Sequence, residues 1–355
     1  MNTIILASPN QYGYFTIYYN YAKYLGKEFN VIYICFDQGE IKFKESEEIK
    51  VVYVELAGNK ILRILKYYQA IVRVFHLNLS STLILKYYFF SSLLNLFIPR
   101  KSLILDIRTG YISKTKVKTL FYNLIIRIEA LTFKRVIVLS ESLRKKLKLR
   151  IYKTTIIPLG AEHVDYLHGE FNNPALLYVG TLTSRNIYQT VEGISKFVKN
   201  NAKNIGIRYH IVGGGKPADV KKLKDTISHY NLQEIVHYEG EIYGESLKRF
   251  FMNCNIGVSY IPIIKDYDCQ PATKTIEYLM AGMPVIATDT FENRNIISDY
   301  NGILIKDDPQ SFAEGLEKII SVVHNYNSVE ISSSVNEYSF KHIIDNKLKP
   351  LLLLK

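Results

Sequence analysis

Leu176-Leu177-Tyr178-Val179-Gly180-Thr181-Leu182-Thr183-Ser184-Arg185 decides how this 355-residue chain is read. An unbroken apolar run, the mark of a strand buried on both faces, meets a glycine turn. Arg185 then stands just ahead of a helix expected from Tyr188 onward. A strand-to-helix turn aims backbone N–H groups and the positive helix end at an anion, and an arginine adds a charged two-pronged contact. Taken alone, the pattern is also that of an ordinary α/β turn.

Working outward, Ile211-Val212-Gly213-Gly214-Gly215-Lys216 repeats the arrangement one βα unit later, with glycines that let a ligand approach the backbone. It has neither the dinucleotide fingerprint spacing nor a P-loop lysine-serine pair, so NAD and ATP sites are not supported. Strands are expected at 175–179, 208–212, 236–239, 256–260 and 284–287. The first half shows the same rhythm at 4–7, 31–36, 51–56, 102–106 and 135–139. A helix is expected over 16–27, and two helices over 61–97. These alternations predict an α/β protein of two Rossmann-like doubly wound domains facing across a cleft. Turn residues at Pro158-Leu159-Gly160 and Asn173-Pro174 place the joint, giving domains 1–165 and 166–335. A terminal helix over 336–355, ending in Pro350 and a leucine run, could cross back to the first domain.

Composition narrows the class. Apolar residues make up 48% of the chain and charged residues 22%, which fits a folded globular protein. Three scattered cysteines (Cys35, Cys254, Cys269) form neither a disulfide framework nor a zinc site, and they suit a reducing cytoplasm. The N-terminus reads as a first strand rather than a leader. The most apolar window, 83–98, is too short to span a bilayer. The net charge of +12 is uneven: residues 1–165 hold 25 Lys and Arg against 12 Asp and Glu, whereas 166–355 hold 20 against 21. A basic first half points to an anionic partner.

The richest stretch runs Asp268-Cys269-Gln270-Pro271-Ala272-Thr273-Lys274-Thr275-Ile276-Glu277-Tyr278-Leu279-Met280-Ala281-Gly282 and on into Met283-Pro284-Val285-Ile286-Ala287-Thr288. A helix starting near Pro271 puts Lys274 and Glu277 on one face, three residues apart. They could hold a diphosphate and a ribose diol, or form a plain surface ion pair. From Leu176 to about Ile320 the chain resembles the donor half of glycosyltransferase family 4, retaining enzymes of GT-B fold. The matching elements are the Tyr-Val-Gly turn with Arg185, the triple-glycine turn, Tyr238-Glu239-Gly240, Glu277-Tyr278, the Ala281–Thr288 run and Asn301-Gly302-Ile303-Leu304-Ile305. A looser match in the first half rests on residues 138–143 and 157–162.

The resemblance implies that Glu277 holds the ribose of a nucleotide sugar, with Tyr278 beside it, and that Arg185 and Lys274 neutralise the leaving diphosphate. Gly180, Gly213 and Gly214 would let the nucleotide, a UDP sugar by family weight, lie against the sheet edge. Three positions depart from the family pattern: Cys269 stands eight residues before Glu277 where a glutamate is usual, Thr181 replaces an arginine, and Leu105 replaces a histidine before Asp106. Asp268, Cys269 and Gln270 are therefore the donor-sugar candidates.

On the acceptor side, Asp106 is a catalytic candidate, with Arg108, Tyr12 and Gly13 beside it; Asp106 and Arg108 could equally be a loop-closing ion pair. No catalytic metal and no cofactor are expected, since Asp266-Tyr267-Asp268 reads as a solvated loop. The basic segments 114–118 and 144–150, with the aromatic run 87–90, suggest peripheral docking on anionic lipid and a glycan or lipid-linked acceptor. The place implied is the inner face of the cell membrane, in surface polysaccharide assembly. A nucleotide-sugar epimerase and a nucleic-acid-binding protein are the rival readings; for the latter the chain lacks any recognised reading motif, so no nucleic acid partner is expected.

Overall fold

The computed structural model describes residues 2–111, 113, 115–163, 173–201, 206–268 and 273–353. The chain forms two compact units, one of residues 1–160 and 340–355 and one of residues 161–339.

The first unit is built on seven parallel strands: β1 (Thr3–Ala7), β2 (Asn30–Asp37), β3 (Ile49–Glu55), β4 (Thr82–Lys86), β5 (Leu103–Ile107), β6 (Arg135–Val138) and β7 (Thr154–Ile156). They lie in the order 3-2-1-4-5-6-7, which reverses direction between β1 and β4. Helices connect them because parallel neighbours need a crossover. The main ones are α1 (Thr16–Leu25), α2 (Lys60–His76) and α3 (Lys116–Leu131). The central strands read Ile4-Ile5-Leu6-Ala7 and Leu103-Ile104-Leu105, with every one of these side chains buried, as a sheet covered on both faces requires.

One sequence expectation is corrected here. Residues 61–97 hold one helix, not two: α2 is followed by strand β4 and then a short 3-10 segment at Ser91–Leu96. Leu83-Ile84-Leu85 is wholly apolar, and a short apolar run has no period by which to tell strand from helix. Pairing decides it, since β4 lies between β1 and β5 and is hydrogen-bonded to both.

The second unit carries a six-stranded parallel sheet of β8 (Ala175–Val179), β9 (Arg208–Val212), β10 (Val236–Gly240), β11 (Ile256–Ser259), β12 (Val285–Thr288) and β13 (Gly302–Ile305). Their order, 10-9-8-11-12-13, again reverses at the middle, between β8 and β11. Ligands of open α/β sheets bind outside the carboxyl ends of the strands at such a reversal. Gly180 to Arg185 follow β8, and Lys274 and Glu277 lie on the helix Thr273–Met280 that follows β11. The topology thus delivers both motifs to the same switch point.

The last residues return to the first unit as a helical segment with a π turn at Ile344–Leu348, just ahead of Pro350. A proline inside a helix lacks its N–H and crowds the preceding turn, and a wider turn relieves both. Phe340, Ile343, Ile344, Leu348 and Leu351 are buried. Lys349 pairs with Glu28, and Arg135 donates to the Leu351 carbonyl at 2.9 Å.

Candidate active site

The two glycine turns of the second unit meet back to back. Gly180 donates its N–H to the Val212 carbonyl at 3.0 Å, and Leu182 donates to Gly214 at 2.7 Å. Gly213 has φ +143°, and a Cβ there would lie 1.9 Å from the Gly180 carbonyl oxygen. Only glycine fits such an approach with that backbone. A Cβ on Gly214 would likewise strike the Glu241 carboxylate, at 1.7 Å. The result is a cavity of about 430 Å³ lined by Gly180, Gly213, Gly214, Gly215, Glu241 and Tyr243. Glu241 and Tyr243 were not singled out from sequence. They follow the Tyr238-Glu239-Gly240 element, whose strand-end glycine (φ +75°) marked the turn that carries them.

Lys274 reaches this edge from the helix Thr273–Met280. Its ammonium lies 3.9 Å from the centre of the Tyr178 ring and 3.4 Å from where a Gly180 Cβ would be. Burial first and then the Arg185 charge, with Glu277 acting the other way, bring the amine down to about 7. Arg185 stacks over the Tyr267 ring at 4.1 Å. The residues on either side of it, Ser184 and Asn186, have φ of +57° and +54°. Two left-handed non-glycine positions flanking a single residue are strained backbone, which persists where the surroundings over-determine it. They hold Arg185 where its charge acts on a second, half-buried cation. A like charge brought close in a partly desolvated turn disfavours the charged form of the lysine, and an anion between the two cations reverses that.

Glu277, on the same helix, is held above the usual carboxylate range by burial, partly countered by Lys274. Tyr278 is fully buried, and its hydroxyl accepts the Val179 N–H at 2.7 Å, tying this helix to the end of β8. Its contact is with the strand, as a positioning residue would make. Asp268 accepts the Phe291 N–H at 2.7 Å. Cys269 and Gln270 lie outside the described residues.

In the first unit, Asp106 is 0% exposed and Arg108 7%. Arg108 Nε donates to Asp106 at 2.8 Å, Nη1 donates to the Ile157 carbonyl at 2.9 Å, and Nη2 donates to the Tyr21 hydroxyl. Burial raises the Asp106 carboxyl against the opposing pull of Arg108, and the two charges compensate each other. This is the geometry of the loop-closing ion pair, with both groups withdrawn from solvent. Tyr12 is buried as well, and Gly13 (φ +92°) is covered by the Phe43 ring. Gln11 holds that cover in place through residues 38–40. At the reversal between β1 and β4 the structure offers a group the sequence reading passed over: Lys86. It donates to the Asn10 side chain and lies 3.6 Å from the Phe15 ring centre, and burial pushes it down to about 8, with Asp106 opposing and Arg108 assisting. Among the described residues no three metal-ligating side chains cluster, and no helix is long and apolar enough to cross a membrane.

Two doubly wound units, one with a cation-lined glycine turn at its switch point, make this a protein of the GT-B class, and the solved structures agree. The chain superposes on sucrose-phosphate synthase (tll1590) from Thermosynechococcus elongatus with TM-score 0.74 at 17% identity, covering 97% of this chain and 96% of that one. A glycosyltransferase from Rickettsia africae gives TM-score 0.75 at 17% identity over 100% and 99%. Anabaena Alr3699/HepE, solved in complex with UDP-glucose, gives 0.70 at 14% identity over 99% of each. Residues 173–321 match the family model of glycosyl transferases group 1. That match lies within the second unit, and together with the shared fold it makes the chain a glycosyltransferase. No curated protein matches it in sequence.

Proposed function

We propose that the protein moves a sugar, with retention of anomeric configuration, from a UDP sugar to a glycan or lipid-linked glycan acceptor. The observation that carries this reading is the pairing of Lys274 with Arg185 beside the Gly180 and Gly213 turns, a dicationic site that a diphosphate completes. Uridine fits the adjoining cavity at Glu241 and Tyr243, and the similarity to a protein solved with UDP-glucose favours that base. Glu277 takes the ribose hydroxyls. Departure of the diphosphate is then the step the protein accelerates, with fixed positive charge placed where negative charge develops. No pair of carboxylates is needed for that role.

The second unit is the donor domain in this reading and the first is the acceptor domain. Lys86 and Asn10 are the polar groups at the first unit's own switch point, and we assign them to acceptor binding in place of the buried Asp106–Arg108 pair. The basic first half supports an acceptor held at an anionic membrane surface, at the inner face, in surface polysaccharide synthesis.

The test is release of UDP from UDP sugars by the purified chain, with and without lipid-linked glycan acceptors, and the anomeric configuration of the product read by NMR. Acceptor-dependent turnover with retention supports the reading. Sugar rearrangement without any acceptor would make the protein an epimerase, and an inverted product would remove the retaining mechanism.

A further inference from the structure

The helix α3 is apolar on the wrong side. Its inward face buries Ile126 and Ala130, as a surface helix should. Directly opposite, Val117, Leu120, Phe121, Leu124, Ile128 and Leu131 recur at helical spacing and form a second apolar stripe, each between 39% and 73% exposed. A surface helix ordinarily turns charged and polar residues to that side.

The stripe has a neighbour of the same kind. Glu129, buried on α3, accepts the Tyr87 hydroxyl at 3.0 Å and the N–H groups of Phe90 and Ser92 at 3.2 and 3.0 Å. It thereby ties residues 89–97 to the helix, and Asn95 adds a bond to Thr132 at 3.0 Å. That segment presents Phe90, Leu93, Leu96 and Phe97 to solvent. Phe90 does so from a left-handed backbone, φ +64°, an outlier for a bulky side chain.

Charge identifies the occupant. Between Glu55 and Glu141 the chain holds 14 Lys and Arg and only two carboxylates, Asp106 and Glu129. Both of those are buried. Eighty-five consecutive residues therefore show solvent no negative side chain, while Arg100, Lys101, Lys116, Lys118 and Lys134 are exposed around the apolar stripe. Apolar side chains that can enter an acyl layer, ringed by cations that meet phosphate headgroups, are what an interfacial helix needs. Nucleic acid would use the cations and leave the leucines in water.

We infer that α3 and the adjoining residues 89–97 form a monotopic docking surface for an anionic lipid bilayer. The inference deepens the lipid-linked-acceptor reading by naming the surface, and it rests on the first unit alone.

The test uses the full chain with vesicles of phosphatidylglycerol and of phosphatidylcholine. Wild type should float with the anionic vesicles, lose them as salt is raised, and ignore the neutral ones. The double variant Leu120→Ser, Leu124→Ser should bind about tenfold or more weakly. Its thermal shift with UDP should be unchanged, which separates lost docking from lost folding and from failure of the donor-site reading. Because the chain contains no tryptophan, Leu120→Trp gives a single reporter, whose emission should shift to the blue on adding anionic vesicles. Tyr300→Trp, exposed in the second unit, should not shift. Vesicle binding that survives the double variant would overturn the inference. So would wild-type protein that ignores phosphatidylglycerol and self-associates through this face, or that retains a bound protein there instead.

Discussion

At the residue scale the account rests on Lys274. Its amine in the free protein titrates near 7, because burial and Arg185 both disfavour the ammonium. A bound diphosphate favours the ammonium and raises that value, so nucleotide affinity is full below about pH 7 and falls as pH rises above it, by at most about tenfold per unit. Isothermal titration with UDP between about pH 7 and 9 should show that fall in wild type. Lys274→Arg, whose guanidinium keeps its proton, should bind with a flat profile. A wild-type profile as flat as the arginine variant's would remove Lys274 from the diphosphate. Asp106 supplies the contrasting case. As one half of a buried ion pair, Asp106 cannot be neutralised freely: Asp106→Asn leaves Arg108 unpaired and should cost about 3–5 kcal/mol by urea unfolding. A catalytic Asp106 would instead lose turnover with stability intact. Sequence identified both carboxylate and guanidinium but not which role they play, because residue type and spacing do not report burial.

At the scale of the elements, the first two strands and turns of the second unit were legible because β8 and β9 are short runs that close on apolar residues and end at a glycine. Expected and observed strands coincide at 175–179 and 208–212, and the helix begins at Tyr188 as read. What was hidden is whatever depends on neighbours. β4 has no period, β7 has only half-buried residues to mark it, and Lys86 gained its place at a strand end only once β4 was recognised. The outward stripe of α3 was hidden for a related reason: its periodicity reads as a core face until the packing shows which side is covered. Glu129 is the element-scale anchor of that region. Glu129→Ala leaves two buried-side N–H groups and the Tyr87 hydroxyl without their acceptor, and should cost about 1–3 kcal/mol for each group left unsatisfied. Unfolding in urea and hydrogen exchange at residues 89–97 would check it; protection equal to wild type would mean the segment is held by its packing alone.

At the scale of the whole molecule, the chain begins and ends in the same unit. Residues 340–353 bury six large apolar side chains there and add the Lys349 and Arg135 contacts, so a chain stopped at Ser339 should fail to give a cooperatively folded first unit in circular dichroism melts. A truncated protein that melts like the full chain would make that return segment ornamental. The central claim concerns the other unit, that its switch point takes a nucleotide sugar through Glu277, Lys274 and Arg185. The measurement that bears on it most directly is the thermal shift of purified protein with UDP, GDP, ADP and CMP and their sugar conjugates, run beside Glu277→Ala. A ligand at a hundredfold excess over its Kd stabilises the native state by about 2.7 kcal/mol, so the account predicts a clear rise with UDP and its sugars. In the variant, binding should be weaker by about 1.5–3 kcal/mol with unchanged ligand-free stability. No shift with any nucleotide, or a UDP shift that Glu277→Ala leaves intact, would contradict it.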